Sequence, residues 1–557
     1  MSDNKMSDTA GFFAGKTLLI TGATGYLGKV LLERILWQLP QVRRIVLLMR
    51  PHCASDRQAA VSVRADAIFG SSIFNRLRVR HDEQFDAFLR EKVFAVAGDL
   101  SSPDLGLAPR RLEMLGSDVH FIINLAAEVN FREPLDSAVS SNTQGPHHLL
   151  KFATRFRNPI LLHVSTAYVS GLRTGAIPEQ PLQPDVSAFD LMGFANGEPL
   201  RTEHEIALAQ RLGESVERES QTRAARDEFR QSAIAQLRSA RITCADPLDD
   251  AAEQNRRRWV CHRLSKEGLS RARGFGWIDT YSFTKALGEQ LLVKSANGVP
   301  IVILRPSVVE STLQQPEPGW IEGFRMSSPV LFGYGQGVLP DFPAKRDAVI
   351  DIIPADFVVS ALLASLTVAP RGSNPKVFQV ASGWENPIVW RQLMDYTRDY
   401  FRQLPLCGDS GPIVPHDWSY PSSRSFDSWA GRRRLMLRMA HAVSERFDFL
   451  PFVARQKDKL AVQQMNHKRL ESINRLYAGY CGLDCQFQTD NTRQLFRSLP
   501  SEDQRDFFFD PTAIDWPAFF REIQLPGVRR HVLEKAKPKS CNLVVQPAVR
   551  FVPEVSR

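Results

Sequence analysis

Short apolar runs recur along the first two thirds of the chain, and segments with helical spacing separate several of them. The runs cover residues 16–21, 44–50, 93–100, 121–129, 160–169 and 299–309. They are almost continuously apolar, as strands buried on both faces of a sheet should be. One intervening segment, NTQGPHHLLKFATRF, carries its apolar residues at helical spacing. Strands that alternate with helices predict βαβ units and a parallel sheet.

The pattern changes twice further along the chain. Residues 171–276 are charged and helix-prone, with apolar residues on one face, and they predict a helical insertion above the sheet. Beyond about residue 390 the strand rhythm fades, and helices with aromatic-rich loops take over. We therefore predict an α/β fold: a Rossmann-like, doubly wound parallel sheet over residues 15–385 and a mainly helical domain over residues 386–557. Residues 1–14 are expected to form a flexible N-terminus.

Composition limits the class of protein. The chain has 557 residues, of which 43% are hydrophobic and 24% charged, and this favours a soluble globular protein of two or three domains. Its longest apolar stretch, FVVSALLASLTVA from Phe357, is too short to span a bilayer. The seven cysteines lack the spacing of a disulfide framework or a zinc site. We expect a protein of a reducing compartment, the cytoplasm.

A glycine-rich turn, TGATGYLG, follows the first predicted strand and opens a helix. Gly22 permits the tight turn, Gly25 lets backbone approach a pyrophosphate, and Gly28 packs the helix against the sheet. The turn predicts dinucleotide binding. The second strand ends without the carboxylate that binds NAD ribose, and Arg50 stands there instead. A guanidinium at this position can pair with the 2′-phosphate of NADP, so Arg50 predicts NADPH as the cofactor; alternatively, Arg50 is a solvated loop residue. Asp99 is expected to contact the adenine edge, or to cap the next helix.

Residues 281–285 read YSFTK and place a phenol and an ammonium four positions apart, on one face of a helix. A nearby positive charge favours the phenolate and lowers a tyrosine pKa that is ordinarily about 10. The pair therefore suits a proton donor and the group that tunes it. The same spacing also occurs on ordinary helix surfaces, so the surrounding motifs decide between the two interpretations.

Those motifs carry a family resemblance. The glycine turn, NLAAEVNF, VSTAYVSG and YSFTK occur in the order of the extended short-chain dehydrogenases/reductases. Four longer stretches resemble the alcohol-forming fatty acyl-CoA reductases of bacterial type: TGATGYLGKVLLE, DTYSFTKALGEQ, RPSVVESTLQQPEPGWIEG and DIIPADFVV. The match runs from about residue 12 to 385, and a weaker one continues over the helical C-terminal part.

The resemblance implies roles for individual residues. Tyr281 is the catalytic acid, and Lys285 tunes it and holds the nicotinamide ribose. Thr166 holds the carbonyl oxygen, with Ser165 as the alternative; because side chains alternate along a strand, only one of the two is expected to face the cofactor. Asn142 corresponds to a family asparagine near the lysine, or is a helix cap. The implied cofactor-binding residues are Thr21, Gly22, Thr24, Gly25, Tyr26, Leu27, Gly28, Arg50, Asp99, Leu100, Ala126, Ala127, Asn142, Tyr281, Lys285, Pro306 (or a turn residue) and Val308.

The activity that the resemblance implies is NADPH-dependent reduction of a long-chain fatty acyl-CoA, or acyl-carrier-protein thioester, to a fatty alcohol through a bound aldehyde. Thr166 and Tyr281 would stabilise the oxyanion that forms when hydride reaches the thioester carbon, and Tyr281 would protonate it. The alternatives are a reductase that stops at the aldehyde, an epimerase or hydroxysteroid dehydrogenase of the same fold, and an NADP-sensing scaffold. No metal is expected, since His147 and His148 have no supporting cluster.

Charge suggests further partners. The formal net charge is +9 and favours anionic partners, but no basic stripe is interleaved with aromatic residues, so nucleic acid is not expected. In residues 429–452 apolar positions recur at helical spacing beside Arg432, Arg433, Arg434 and Arg438. Such a helix can lie in the headgroup region of an anionic bilayer, here the inner face of the membrane. Alternatively, the arginines steer the CoA phosphates, or the helix packs its apolar face on the core.

Overall fold

The strands of the protein cover short, mostly buried segments. A computed structural model describes residues 8–51, 56–115, 118–194, 198–239, 247–339, 341–369, 374–408, 411–446 and 451–534. Its strands are β1 (Thr17–Thr21), β2 (Arg44–Met49), β3 (Val93–Ala97), β4 (Phe121–Asn124), β5 (Ile160–Val164), β6 (Gly175–Ile177), β7 (Ile301–Pro306), β8 (Val308–Glu310), β9 (Ile352–Pro354), β10 (Lys376–Val380), β11 (Leu406–Gly408), β12 (Gly411–Ile413) and β13 (Cys485–Phe487).

Seven strands form the central sheet, in the order β10-β7-β5-β4-β1-β2-β3, and every neighbouring pair is parallel. All residues of β1, β4 and β7 are buried, because helices cover both faces of the sheet. The prediction of a doubly wound parallel sheet is confirmed. The strand order reverses between β1 and β4, and at such a switch point the carboxyl ends of the strands leave a crevice for ligands.

Strand β10 was not predicted from the sequence. Lys376 and Gln379 interrupt its apolar run, although Gln379 is fully buried because its amide donates to the carbonyls of Ile177 and Gln488. Several predicted strands also end earlier than expected, among them those that end at Ala97, Asn124 and Val164. The residues beyond these ends form the loops at the carboxyl edge of the sheet.

Helices surround the sheet and make up most of the second half. They are α1 (Thr9–Phe13), α2 (Tyr26–Gln38), α3 (Arg57–Phe69), α4 (Asn75–His81), α5 (Phe85–Lys92), α6 (Pro109–Leu115), α7 (Leu135–Val139), α8 (Gly145–Ala153), α9 (Ala188–Leu191), α10 (Thr202–Ser220), α11 (Arg223–Ser239), α12 (Pro247–Gly274), α13 (Thr280–Ser295), α14 (Ser328–Gly335), α15 (Ala355–Thr367), α16 (Trp390–Gln403), α17 (Ser423–Arg446), α18 (Pro451–Cys481), α19 (Asp490–Ser498), α20 (Ser501–Asp506), α21 (Trp516–Ala518) and α22 (Leu525–Val528). No helix among these described residues has the length and apolar content needed to cross a membrane.

The N-terminal segment differs from the prediction. Residues 8–14 are not a free end, because α1 buries Phe13 against Phe121, with ring centroids 5.1 Å apart. Thr9 also donates both its backbone N–H and its hydroxyl to the carboxylate of Asp503. These long-range contacts order the segment. Residues 1–7 of the predicted flexible N-terminus lie outside the described residues.

The insertion is mainly helical over its described residues. Helices α10, α11 and α12 occupy most of residues 171–276, and α11 and α12 pack along each other. Arg271 of α12 donates to the carboxylate of Glu205 of α10, which is 2% exposed. The segment also contains a strand that the sequence did not predict, since β6 pairs in parallel with β13 and so joins the insertion to the C-terminal part.

The stretch EPGWIEG lies where the sheet domain meets the C-terminal helices. The rings of Trp320 and Tyr26 stack with centroids 5.4 Å apart, and the Tyr26 hydroxyl donates to the carbonyls of Glu310 and Trp320. Gly319 has a φ of +80°, and a Cβ there would lie 2.6 Å from the Ile523 carbonyl oxygen. This close approach requires glycine. The stretch therefore packs against α2, the loop after β8 and the C-terminal helices.

A buried carboxyl group makes stability depend on pH. Glu179 accepts hydrogen bonds from the Gln379 N–H and the Thr492 hydroxyl, and burial nevertheless raises its pKa from 4.5 to about 7. A carboxyl group whose pKa is raised by folding contributes to the stability of the protein while it is protonated. That stability is fully present below about pH 4.5 and is lost as the pH rises through 7.

We expect Glu179→Gln to reduce the fall in the free energy of unfolding between pH 5 and pH 8 by up to about 3 kcal/mol. Glutamine keeps one acceptor oxygen but cannot ionise. Urea unfolding of the wild type and the variant at both pH values measures the difference, with exposed Glu502→Gln as the control. Equal pH slopes in the wild type and Glu179→Gln would contradict the expectation.

Candidate active site

A large cavity lies at the carboxyl ends of the sheet strands. Its volume is about 790 Å³. The glycine turn, the ends of β2, β3, β4, β5 and β7, and the start of α13 all contribute to its lining. The predicted residues that line it are Thr21, Gly22, Thr24, Gly25, Tyr26, Leu27, Gly28, Arg50, Asp99, Leu100, Ala126, Ala127, Ser165, Thr166, Tyr281, Lys285, Pro306 and Val308.

The glycine turn has the geometry of a phosphate cradle. Gly22 has a φ of +73°, and a Cβ at this position would lie 2.5 Å from the carbonyl carbon of Leu125. A Cβ at Gly28 would lie 2.3 Å from the Gly22 carbonyl oxygen. Side chains at either position would therefore push the turn away from β4 or the helix away from the turn. The N-terminus of α2 opens directly at the cavity, where its backbone N–H groups and dipole favour a pyrophosphate.

Two arginines stand at the end of β2. Arg50 lies 3.5 Å from the carboxylate of Asp99, and both side chains line the cavity. Arg64 of α3 also lines the cavity and donates to the backbone carbonyl of Arg50, although no sequence motif indicated it. Asp99 additionally accepts hydrogen bonds from the backbone and hydroxyl of Ser101, so it orders the turn after β3. The site thus presents two guanidinium groups where a ribose phosphate of a dinucleotide would lie.

Tyr281 lies in the first turn of α13, whose N-cap is Asp279. Burial is the main cause that raises the Tyr281 pKa well above its ordinary value, and the Asp279 carboxylate raises it further. A hydrogen bond with the Thr166 hydroxyl lowers it. The expectation that Lys285 lowers this pKa is therefore wrong for the geometry described here. A phenol that keeps its proton at neutral pH is suited to donate it.

Lys285 lines the cavity, and its ammonium contacts the end of β5. Its Nζ donates to the Val164 carbonyl oxygen at 2.7 Å and lies 3.2 Å from Nε2 of His163. Burial lowers the pKa of Lys285 to about 7, and the same burial lowers the His163 pKa well below its usual value. His163 in turn lies 3.0 Å from the Asn124 amide. The sequence signal for this network was a histidine within a buried strand.

Asn142 does not line the cavity, but it lies next to the turn of α13 that carries Lys285. Its side chain is fully buried and exchanges hydrogen bonds with the backbone of Glu128. Its amide also donates to the Thr284 hydroxyl. Asn142 therefore braces the loop after β4 against α13. It acts neither as a cavity residue nor as a cap at the start of its helix.

Ser165 and Thr166 both contribute to the lining of the cavity. The chain leaves the sheet at Val164, and the short helix at residues 167–170 begins directly after Thr166. Strict strand alternation therefore no longer applies. The Thr166 hydroxyl forms a hydrogen bond with the Tyr281 side chain, whereas the buried Ser165 hydroxyl has no hydrogen-bond partner among the described residues.

This contrast predicts a ranking of two variants. Thr166→Val should slow turnover by about tenfold or more, because it removes the hydroxyl that contacts the proton donor. Ser165→Ala should be milder, because its hydroxyl contacts no catalytic group. Steady-state kcat with thermal unfolding as a control for folding measures both effects. The opposite ranking would assign the oxyanion contact to Ser165.

The far wall of the cavity comes from the C-terminal part and is mostly apolar. No sequence motif indicated these lining residues, which are Leu476, Tyr477, Tyr480, Cys481, Leu483, Cys485 and Phe487. The ring of Phe131 lies near both the reaction centre and this wall, since its centroid is 5.9 Å from that of Tyr281 and 5.4 Å from that of Tyr480. The Tyr480 hydroxyl donates to Asp279, so α18 touches the cap of the helix that carries Tyr281. Contacts of this kind between distant segments leave no local signal in the sequence.

One group of potential metal ligands lies elsewhere. Glu198, His204 and Glu205 place their ligand atoms within 4.8 Å of one another. Arg271 donates to both carboxylates, so an ion-pair network already accounts for this group.

Comparison with known proteins agrees with this site. An NAD-binding family model described as male sterility protein matches residues 20–362, and a second model of the same description matches residues 431–535. The chain is 33% identical over 94% of its length to the chloroplastic fatty acyl-CoA reductase 2 of Arabidopsis thaliana, of which it covers 79%. It is 31% identical over 95% of its length to the alcohol-forming fatty acyl-CoA reductase of Simmondsia chinensis, of which it covers 99%.

Solved structures show the same fold at lower identity. The terminal R domain of a myxalamid biosynthetic pathway aligns with a TM-score of 0.51 and 18% identity, covering 92% of this chain and 91% of that one. The reductase domain of a nonribosomal peptide synthetase from Mycobacterium tuberculosis aligns with a TM-score of 0.51 and 17% identity, covering 95% and 96%. The resemblance noted in the sequence is thus confirmed, and the protein is an oxidoreductase that uses a nicotinamide cofactor. The chain belongs to the fatty acyl-CoA reductase family.

Proposed function

We propose that the protein reduces long-chain fatty acyl-CoA to a primary fatty alcohol with NADPH, through an aldehyde that stays bound. The single observation that carries this proposal is the continuity of the cavity. The glycine turn and the pair Thr166 and Tyr281 line one part of it, and an apolar wall from α18 and β13 lines the other. A polar reaction centre beside an apolar wall suits an acyl chain whose carbonyl carbon must meet a hydride donor.

The residues of the chain have distinct tasks in this reaction. NADPH, when bound, supplies hydride to the carbonyl carbon. The hydroxyl groups of Thr166 and Tyr281 stabilise the oxygen that becomes negative, and Tyr281 gives it a proton. The resulting hemithioacetal loses CoA as the free thiol and leaves the aldehyde. The same two hydroxyl groups then assist reduction of the aldehyde to the alcohol, with a second NADPH and another proton.

The choice of NADPH over NADH rests on charge. Arg50 and Arg64 line the cavity at the end of β2, where a 2′-phosphate would be expected. Lys285 lies beside the end of β5, where it can hold the nicotinamide ribose. We extend the proposal to location: a cytoplasmic enzyme that acts on acyl-CoA, with acyl-carrier-protein thioesters as the alternative substrate.

Product analysis tests the proposal. The purified protein is incubated anaerobically with palmitoyl-CoA and either NADPH or NADH, and aldehyde, alcohol and free thiol are quantified. We expect two NADPH oxidised and one thiol released for each alcohol formed. Accumulation of free aldehyde with one NADPH per thiol would replace the proposal with a reductase that stops at the aldehyde. Cofactor binding without any thiol release would instead favour the scaffold alternative.

A further inference from the structure

Helices α17 and α18 form an antiparallel hairpin whose packed face is defined by its contacts. The Gln464 amide donates to the Leu437 carbonyl oxygen at 3.2 Å, and Arg434 lies 3.5 Å from the carboxylate of Glu471. The buried side chains of α17 are Phe426, Ala430, Leu437 and Ser444. These positions recur four or seven residues apart, so they occupy one face of the helix. This face, and not the predicted stripe, packs on the protein.

A second apolar face of the hairpin is exposed. It comprises Leu435, Met436, Met439 and Val443 of α17, and we call it the hairpin face. Each of these four side chains is between 55% and 59% exposed. The face lies on the side of α17 opposite to Arg434 and Leu437, which contact α18. The expectation that the predicted stripe packs its apolar residues on the core is therefore wrong.

The same hairpin carries most of the excess positive charge of the protein. Residues 432–471 contain ten lysines and arginines but four acidic residues, a net formal charge of +6 out of +9 for the whole chain. Arg432, Arg438, Lys468 and Arg469 have exposed side chains. Arg433 packs over the ring of Trp429, with 5.3 Å between its guanidinium carbon and the ring centroid, and Arg434 is the arginine that pairs with Glu471. The hairpin face is thus an apolar strip set among cations.

We propose that the hairpin face binds the surface of an anionic lipid bilayer. Exposed leucine, methionine and valine side chains can enter the boundary between headgroups and acyl chains, while the arginines stay level with lipid phosphates. Nucleic acid would pair with the cations but would leave the four apolar side chains in water. The charge of the face disfavours a second copy of the chain, because the two identical surfaces would repel each other.

Helix α18 links the hairpin to the active-site cavity. Gln464 of α18 contacts α17 beside the hairpin face, and Leu476, Tyr477 and Tyr480 of the same helix line the cavity. Residues 464 and 476 are about 18 Å apart along the helix. A bilayer bound at the hairpin face would therefore lie near one part of the hairpin whose other end forms the apolar wall of the site.

Vesicle co-sedimentation tests the proposal on the full-length protein without substrate. Vesicles of phosphatidylcholine alone are compared with vesicles containing 30 mol% phosphatidylglycerol, at low and high salt. We expect binding that needs the anionic lipid and weakens as salt rises, because exposed charges are screened. Failure of the wild type to bind anionic vesicles would overturn the proposal and would leave the proposed reduction untouched.

Two double variants separate the contributions of charge and apolar surface. Arg432→Gln with Arg438→Gln should lower the partition coefficient by about fivefold for each charge removed. Leu435→Ser with Met439→Ser should lower it by about tenfold or more, because less apolar area enters the bilayer. Val79→Ser of α4 removes a side chain that is 84% exposed elsewhere and should leave binding unchanged.

Two further measurements identify a different occupant. Light scattering that finds a wild-type dimer, dissociated by Leu435→Ser with Met439→Ser, would assign the face to a second copy and overturn the proposal. Loss of palmitoyl-CoA affinity in the double arginine variant, with a wild type that ignores vesicles, would assign the arginines to the CoA phosphates. Equal vesicle binding by the wild type and both double variants would place the lipid contact on another surface.

Discussion

Replacing Tyr281 with phenylalanine is expected to lower kcat for palmitoyl-CoA reduction by about 10²–10⁴, the usual contribution of a general acid. The phenol keeps its proton at neutral pH, because burial raises its pKa. The ring of the variant still packs against Phe131. NADPH affinity, measured by fluorescence titration, should therefore change little, and the loss should fall on turnover.

A matched tyrosine in the same cavity serves as the control. Tyr477 also lines the cavity, and burial raises its pKa to about 12. It belongs to the apolar wall, however, and lies outside the pair of hydroxyl groups at the reaction centre. Tyr477→Phe should keep kcat within a few-fold of the wild type. Near-normal turnover in Tyr281→Phe, or an equal loss in both variants, would remove Tyr281 from the role of proton donor.

Replacing Arg50 with aspartate is expected to raise the Kd for NADPH by about ten- to a hundredfold, the scale of a lost hydrogen bond to a charged group. The new carboxylate repels the 2′-phosphate and can accept hydrogen bonds from the ribose hydroxyls of NADH. The variant should therefore lose its preference for NADPH. Arg64 remains at the cavity, so some affinity for the phosphate should persist.

Arg43→Asp is the control for this change. Arg43 immediately precedes β2, at the end of the strand opposite to Arg50, and is 61% exposed in an ion pair with Asp118. The ratio of kcat/KM for NADPH to that for NADH should stay at the wild-type value in Arg43→Asp and fall in Arg50→Asp. An unchanged ratio in Arg50→Asp would show that residues other than Arg50 bind the 2′-phosphate.

The sequence by itself determined the sheet and the cofactor turn. Strands buried on both faces leave near-continuous apolar runs, and six of the seven strands of the central sheet were found from such runs. The glycines of the turn are local requirements, because Gly22 and Gly28 each sit where a Cβ would collide with backbone. Features of this kind depend on consecutive residues, so they can be predicted without knowledge of the fold.

Only the tertiary structure decided which residues meet. The side chain of Asn142 forms hydrogen bonds with Glu128 and Thr284, which belong to separate segments of the chain. The apolar wall of the cavity comes from α18 and β13, about two hundred residues after Tyr281. Such contacts depend on how separate segments pack, and the local sequence carries no record of that packing.

The pKa of Tyr281 and the exposure of α17 show the same limit. A four-residue spacing predicted that Lys285 would tune the phenol, but desolvation inside the folded protein is the larger effect and acts in the opposite direction. Helical periodicity predicted an apolar face on α17, but two such faces exist, and Leu437 rather than Leu435 is the side chain that is buried. Periodicity shows that a helix has an apolar face, whereas the surrounding packing decides whether that face is buried, since burial is a property of the whole fold.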